Sequence, residues 1–189
     1  MRAFLAIDIP EIVRQELTLL LGDLKKCGVP VRWTLPRNLH LTLKFLGEIE
    51  IKQAEQVAVL TSRLCENQKP FGLRLAGLGA FPDLNRPRVV WVGVERSGSD
   101  RLVSLVEKIE SELQAVEFKR GDPPFSAHLT LGRVKADGPP LRKLTAVVRS
   151  NEFSSAYAFD VNQITFYKST LHPAGAIYEP IQFFPLGES

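Results

Sequence analysis

The sequence predicts an α+β fold built from two similar lobes that are related by an approximate two-fold axis. Two observations predict it. Strand-like and helix-like patterns alternate along the chain, and a basic, proline-containing segment precedes a histidine strand in each half, as VRWTLPRNLHLTLKFLG and as FKRGDPPFSAHLTLGRVK. Two copies are too few for a solenoid, and no low-complexity segment or flexible linker separates them. We therefore expect one bilobal domain over residues 1–189.

The first half is predicted to begin and end with strands. Residues 2–9 read as a strand, and Pro10 stands at the start of a helix over residues 11–26 that Gly28 ends. Residues 31–34 and 39–46 read as strands, and residues 51–65 have the apolar spacing of an amphipathic helix. A strand pair over residues 71–78 and 88–94 follows, joined by a loop rich in turn-forming residues at 81–87.

The second half repeats this alternation of predicted strands and helices. Ser99 is predicted to cap a helix that reaches residue 115, and the Gly-Asp-Pro-Pro segment at 121–124 breaks the chain. Residues 128–134 read as a strand and residues 141–149 as a helix. Three closing strands are predicted over residues 156–160, 163–171 and 176–184.

Composition sets the class of protein. The chain has 189 residues, of which 44% are hydrophobic and 24% charged, and its formal charge of +3 is compatible with a polyanionic ligand without indicating a dedicated nucleic-acid binder. No stretch approaches the roughly 20 apolar residues of a membrane helix, and the start runs straight into a strand pattern rather than a signal peptide. Cys27 and Cys65 have no metal-ligand or redox spacing. We expect a cytoplasmic monomer that uses no cofactor and has no membrane partner.

The duplicated tetrapeptide His-Leu-Thr-Leu occupies residues 40–43 and 128–131. Side chains alternate between the faces of a strand, so each histidine points to the same side as its threonine while both leucines point into the core. A single copy of this pattern is most simply an amphipathic strand. Two of the chain's three histidines, however, lie in identical tetrapeptides at matching places in the halves. We therefore expect His40, Thr42, His128 and Thr130 to form one joint site.

Two facing imidazoles and two hydroxyls suit the cleavage of a phosphodiester. Such a reaction needs a base for the attacking oxygen and an acid for the leaving oxygen, and imidazoles that titrate near pH 6.5 can serve as both. Threonine hydroxyls can hold the non-bridging phosphate oxygens between the rings. Zinc binding is the competing use of histidine, but no Asp, Glu or Cys stands at ligand spacing to either strand. We expect no metal site.

At these residues the chain resembles the 2H phosphoesterase superfamily, and in particular its RNA 2′,3′-cyclic phosphodiesterase branch, also called 2′-5′ RNA ligases. The resemblance covers nearly the whole chain: RAFLAIDIP, HLTLKFLG, FPDLNRPRVVWVGV, HLTLGRV and the closing hairpin with Tyr167, Lys168, Ser169, Gly175 and Tyr178. It implies two antiparallel sheets flanked by helices, an active-site cleft between the lobes, and opening of an RNA 2′,3′-cyclic phosphate to a 2′-phosphate.

The resemblance also implies a role for each site residue. His40 would protonate the leaving 3′ oxygen, His128 would activate water, and Thr42 and Thr130 would hold the phosphate. Phe45 and Arg133 each lie five residues beyond their histidine and match positions that line the cleft in the family. Strict alternation turns both away from the histidine face, so a strand twist or a bulge must intervene if they contact substrate.

The other basic and aromatic candidates each allow two interpretations. Arg32, Arg37 and Lys44 near the first motif, and Lys119 and Arg120 ahead of the second, form either a basic rim for RNA phosphates or solvated surface charge. Trp33 and Phe125 either stack on a base or pack in the core. His172 is interpreted as an exposed turn residue beside Pro173.

Three functions remain open from the sequence. Hydrolysis of RNA cyclic phosphate ends is the leading hypothesis. Joining is the second, because attack of a 5′-hydroxyl on the same cyclic phosphate gives a 2′-5′ linkage without ATP. A non-catalytic module that binds RNA ends is the third. Long RNA, tRNA fragments and small cyclic nucleotides all present the same reacting group.

Overall fold

The computed structural model describes residues 1–121, 124–173 and 175–187, and the predicted 121–124 loop falls partly outside this range. Its elements in chain order are β1 (Arg2–Asp8), α1 (Glu11–Lys25), β2 (Val31–Trp33), a 3₁₀ turn (Pro36–Asn38), β3 (His40–Glu48), α2 (Ile51–Glu66), β4 (Phe71–Phe81), β5 (Val89–Val94), α3 (Arg96–Gln114), β6 (His128–Val134), α4 (Leu141–Ser150), β7 (Ser154–Val161), β8 (Gln163–Thr170) and β9 (Ile177–Pro185). Every predicted strand and helix is present, with ends that differ by a few residues.

The strands form two antiparallel sheets. One sheet has the order β3-β1-β8-β9, and the other has the order β2-β6-β5-β4-β7. This confirms the predicted α+β class with one sheet per lobe. Strand β1 lies inside the first sheet between β3 and β8, which explains why its residues from Ala3 to Ile7 are all buried.

The two halves of the chain exchange strands. Strands β8 and β9 from the second half complete the sheet that holds β1 and β3, whereas β4 from the first half lies between β5 and β7 in the other sheet. Each sheet therefore contains strands from both halves. Most of the buried apolar side chains of the described residues form one continuous cluster, and Phe4, Ala6 and Ala80 lie outside it.

Helix α3 begins earlier than predicted. Glu95 is its cap residue, and the Ser99 N–H already donates to the Glu95 carbonyl oxygen at 2.8 Å. The predicted cap at Ser99 is therefore wrong, because one helical turn precedes it and Gly98 lets that turn pack closely on Leu73. None of the helices in the described ranges is both long and apolar enough to cross a bilayer.

Candidate active site

The two histidine strands alternate as predicted. In β3, His40 and Thr42 are half-buried on one face while Leu41 and Leu43 are buried on the other. In β6 the corresponding residues show the same pattern. Strands β3 and β6 belong to different sheets and lie in contact with each other. The fold thus brings the two histidine strands together.

A β-bulge follows the threonine in both strands. Leu5 pairs with Lys44 and Ala6 pairs with Thr42, so Leu43 is left without a partner. The bulge in β6 falls at Leu131, the same position of the motif. The extra residue reverses the alternation beyond it.

The bulges turn the fifth residue after each histidine back to the histidine face. Phe45 is 61% exposed, and its ring centroid lies 6.0 Å from that of Phe4, which stacks on His40 at 4.9 Å. Arg133 is exposed and close enough to His128 to influence its protonation. The bulge that these two residues required is therefore present in both strands.

Each imidazole is held by the same hydrogen bond. His40 Nδ1 lies 2.7 Å from the carbonyl oxygen of Asn38, and His128 Nδ1 lies 2.7 Å from that of Ser126. A carbonyl oxygen can only accept, so Nδ1 carries the proton in both rings. Each Nε2 is then an acceptor in the neutral ring and a donor in the charged ring, which suits a base or an acid.

Aromatic rings pack around both histidines. His40 stacks on Phe4 and meets the Tyr178 ring edge-on at 5.2 Å. His128 meets the Phe81 ring edge-on at 4.8 Å and lies 6.5 Å from Trp91. These rings restrict the orientation of the imidazoles. Sequence reasoning did not single out Phe4, Phe81 or Trp91, since the strand pattern alone assigns them to packing.

Burial lowers the pKa of both imidazoles below the ordinary value of 6.5. At His40 the hydrogen bond to Asn38 and the nearby Asp8 carboxylate oppose this shift, and Arg14 adds to it. At His128 the hydrogen bond to Ser126 opposes the shift and Arg133 adds to it. Both rings therefore have a guanidinium nearby, Arg14 at His40 and Arg133 at His128, and His40 differs in having the Asp8 carboxylate as well.

The duplication is broken at Asp8. Asp8 is the register partner of His40, and the equivalent partner of His128 is Gly93. A Cβ atom at Gly93 would lie 2.8 Å from the Ala76 carbonyl oxygen, so the second site has no room for a carboxylate there. Asp8 is a residue of the site that sequence reasoning missed.

The Asp8 carboxylate is held by two hydroxyl donors. Thr165 Oγ1 donates to it at 2.6 Å and the Tyr167 hydroxyl at 2.5 Å. Burial and then the bond to Asp8 raise the pKa of Tyr167, so its hydroxyl keeps the donated proton. Strand β8 thereby fixes the carboxylate beside His40.

The threonine hydroxyls remain available to a ligand. Within the described residues, neither Thr42 Oγ1 nor Thr130 Oγ1 makes a hydrogen bond; the Thr130 carbonyl oxygen accepts one from Thr34 Oγ1 at 3.0 Å. The buried Nε1 of the neighbouring Trp91 also makes no hydrogen bond within the described residues. The surface around the histidines thus carries unused polar groups.

The site draws on both lobes. Tyr178 belongs to β9 of the first sheet, and Arg133 belongs to β6 of the second. Burial raises the pKa of Tyr178, and the charge of Arg133 opposes this rise across the boundary between the lobes. Arg133 is therefore near Tyr178 of the His40 lobe as well as near His128.

Both interpretations of Lys44, a basic rim and solvated surface charge, are wrong. Lys44 is buried, and its Nζ donates to the Glu110 carboxylate and to the Lys119 carbonyl oxygen, because the bulge turns it into the core. Arg32 is exposed and is the register partner of Arg133, so these two side chains lie side by side. The others named with them are exposed charges: Arg37, Lys119 and Arg120.

The remaining candidates follow their structural readings. Trp33 and Phe125 are partly buried and pack against the core. His172 is exposed in the turn after β8, where its carbonyl oxygen accepts from the Gly175 N–H at 2.9 Å. In the part of the chain that the structure describes, no three His, Cys, Asp or Glu side chains are grouped as metal ligands.

Comparison with known proteins agrees with this geometry. The family described as LigT like phosphoesterase matches the chain twice in succession, over residues 7–91 and 92–178. An Archaeoglobus fulgidus protein named RNA 2′,3′-cyclic phosphodiesterase is 37% identical over 97% of this chain and 99% of its own length.

Solved structures share the fold over nearly the whole chain. A crystal structure from Thermus thermophilus has a TM-score of 0.80 and 29% identity, with 98% of each chain covered. E. coli LigT complexed with 3′-AMP has a TM-score of 0.76 and 26% identity, covering 98% of this chain and 97% of its own. Two successive family matches and a relative above 30% identity, on a site built from two equivalent strands, show that this chain belongs to the LigT like phosphoesterase family within the 2H phosphoesterases.

Proposed function

We propose that this phosphoesterase hydrolyses the 2′,3′-cyclic phosphate end of RNA to a 2′-phosphate. The observation that carries the proposal is the pair of imidazoles with matched Nδ1 hydrogen bonds, each beside a threonine hydroxyl without a partner in the described chain. The name of the Archaeoglobus fulgidus relative supports the substrate class. E. coli LigT complexed with 3′-AMP supports a nucleotide ligand for this fold.

In the proposed reaction His128 is the base and His40 is the acid. His128 Nε2 takes a proton from a water molecule, whose oxygen attacks the phosphorus. The bond from phosphorus to the 3′ oxygen breaks as that oxygen receives the proton of His40 Nε2. The products are a 2′-phosphate and a 3′-hydroxyl, and proton exchange with solvent restores both rings.

The asymmetry at Asp8 supports this order of roles. Burial and Arg14 lower the pKa of His40, and the Asp8 carboxylate opposes this shift, so Asp8 favours the protonated form that an acid needs. At His128 burial and Arg133 favour the neutral form that a base needs, and no carboxylate among the described residues opposes them. The two motifs are identical in sequence, so this difference comes from their neighbours.

The other site residues are assigned to substrate binding. Thr42 and Thr130 donate to the non-bridging phosphate oxygens, and Arg133 offsets the charge that builds on them. Phe45 presents an exposed ring on the His40 side, where a base or ribose can pack on it. The threonines, on opposite strands, hold the phosphorus between the two Nε2 atoms.

The proposed activity predicts a defined product. We expect nucleoside 2′,3′-cyclic phosphates to be converted to the 2′-phosphate in the presence of excess EDTA, because imidazoles supply both proton transfers. Phosphorus NMR of the product distinguishes the 2′-phosphate from the 3′-phosphate. Release of the 3′-phosphate, or activity that EDTA abolishes and added metal restores, would contradict the mechanism. Adding RNA with a 5′-hydroxyl to the same assay measures joining directly.

The assignment of His40 as acid predicts a change in pH dependence for Asp8→Asn. The acid works while protonated, so activity declines as the pH rises through the pKa of His40. Removing the carboxylate takes away an influence that raises this pKa, and Arg14, Tyr167 and Tyr178 remain around the ring. We expect the alkaline limb of the kcat/KM profile to move to lower pH.

A matched control is Glu48→Gln, which removes an exposed carboxylate at the far end of β3, the strand that begins with His40. This variant should keep the wild-type profile. A uniform loss at all pH values in Asp8→Asn would mean that Asp8 has a structural role only. Movement of the acid limb instead would assign the carboxylate's influence to the base.

A further inference from the structure

A cavity of about 770 Å³ lies between the β4–β5 loop and helix α4. Four of its lining residues are arginines: Arg86, Arg88, Arg142 and Arg149. None of the histidines, threonines or aromatic rings of the candidate active site lines it. Its volume is in the range of cavities that hold small ligands. We call it the arginine groove.

The arginine groove carries an excess of positive charge. Its one lining carboxylate, Asp137, is engaged by Arg88 at 2.7 Å. Arg149 donates to the Asn85 side chain at 3.5 Å. Within the described residues, Arg86 and Arg142 form no ion pair. A guanidinium presents two parallel N–H donors, which match the oxygens of a phosphate better than an ammonium does.

The walls of the groove are held in place before any ligand binds. The Asp83 carboxylate accepts from the backbone N–H groups of Asn85 and Arg86 at 2.7 and 3.1 Å. Thr145 on α4 donates to the Leu84 carbonyl oxygen at 2.7 Å, which ties the loop to the helix. Leu84 and other apolar side chains line the same space. A ribose or base can pack there while its phosphate meets the arginines.

The groove adjoins the end of the second histidine strand. The Arg88 N–H donates to the Phe81 carbonyl oxygen at 2.7 Å, and the Phe81 ring packs against His128. The Arg88 carbonyl oxygen accepts from Val134, the last residue of β6. Arg133 lies five positions beyond His128 and pairs with Val89, which follows the groove residue Arg88, so the groove begins about 17 Å along β6 from His128. An RNA strand of a few nucleotides spans this distance.

We propose that the arginine groove binds a backbone phosphate of the RNA strand whose cyclic end lies between the two histidines. The proposal rests on the proposed function and extends it, because it makes an oligonucleotide rather than a mononucleotide the preferred substrate. Arg133 and its neighbour Arg32 lie on the histidine face between the catalytic pair and the groove. A free nucleotide has the same phosphate chemistry, and the experiment separates it from the RNA strand.

The test compares an oligoribonucleotide with a 2′,3′-cyclic phosphate end and the matching mononucleoside 2′,3′-cyclic phosphate. The variant is Arg86→Gln with Arg142→Gln, and the control is Lys52→Gln with Arg63→Gln, which removes two exposed charges on α2. We expect the groove variant to lower kcat/KM for the oligonucleotide about ten-fold, chiefly through KM, and to reduce its salt dependence. The mononucleotide should be hydrolysed as by wild type, and the control should match wild type on both substrates.

Three results would overturn the proposal. The first is an equal loss of kcat/KM on both substrates, and the second is an equal loss in the control variant. The third is that a free mononucleotide inhibits the oligonucleotide reaction of the wild-type protein but not that of the groove variant. Each would show that the groove does not bind the RNA strand. If the wild-type protein hydrolyses neither substrate, the proposed function fails separately. Fluorescence anisotropy then measures the binding of an oligonucleotide that ends in a 2′-phosphate. The groove proposal is supported only if the groove variant loses binding and the control variant does not.

Discussion

Replacing either His40 or His128 with alanine is expected to lower kcat on a nucleoside 2′,3′-cyclic phosphate by about 10²- to 10⁴-fold. Each substitution removes one of the two proton transfers, while the remaining ring and the threonine hydroxyls still bind the phosphate. The loss should therefore be larger in kcat than in KM. Steady-state kinetics of the purified variants, after their melting curves have been compared with that of wild type, give the measurement.

The third histidine offers the matched control. His172 is exposed in the turn after β8, and His172→Ala should retain wild-type kinetics. The kcat of the double variant of His40 and His128 should be little lower than that of the less active single variant, because the two rings act as a unit. Full activity in either single variant would contradict the paired mechanism.

The second large effect is expected in stability, for Lys44→Ala. The Lys44 and Glu110 side chains are 6% and 13% exposed, and their charged atoms lie 2.7 Å apart. Removal of the lysine leaves the buried Glu110 carboxylate without its counter-charge and takes a donor from the Lys119 carbonyl oxygen. We expect the free energy of unfolding to fall by about 3 to 5 kcal/mol, as measured by urea denaturation.

Two further variants test the cause. Lys52→Ala removes an exposed lysine and should change the free energy of unfolding by less than about 0.5 kcal/mol. Lys44→Met combined with Glu110→Leu removes both charges, so it should cost less than Lys44→Ala alone. A Lys44→Ala protein as stable as the Lys52→Ala protein would show that the buried pair contributes little.

The pair also connects the two motifs. Glu110 accepts from the Gly121 N–H at 3.1 Å, and Lys44 binds the Lys119 carbonyl oxygen, so both side chains hold the start of the segment that leads to His128. Lys44 itself lies four residues beyond His40 in β3. A residue that the sequence predicted to be exposed, on a basic rim or as solvated charge, thus joins one histidine strand to the segment that leads to the other.

The strand pattern predicted much of the site because it depends on local periodicity. His40, Thr42, His128 and Thr130 share a face in each strand by alternation alone. The bulges at Leu43 and Leu131 were required by Phe45 and Arg133, but no local signal marks the position of an extra residue in a ladder. Strict alternation places Lys44 on the same face as His40, whereas the bulge at Leu43 turns it into the core.

The role of Asp8 was beyond sequence reasoning for a different reason. Asp8 ends an apolar strand, which is a weak signal of a polar contact, but its register with His40 is set by pairing between distant segments. The contrast with Gly93 appears only when the two sheets are compared strand by strand. The proposed difference between acid and base therefore depends on tertiary pairing, whereas the proposed shared chemistry depends on the tetrapeptide.

The exchange of strands between the halves has a consequence for how the site is lost. If the first half opens, β4 leaves the sheet of His128; if the second half opens, β8 leaves the sheet of His40. Neither lobe can melt and leave the other intact. A partly unfolded molecule thus does not keep one histidine strand in its native sheet. Heat or denaturant should therefore disrupt the surroundings of both imidazoles in a single cooperative transition.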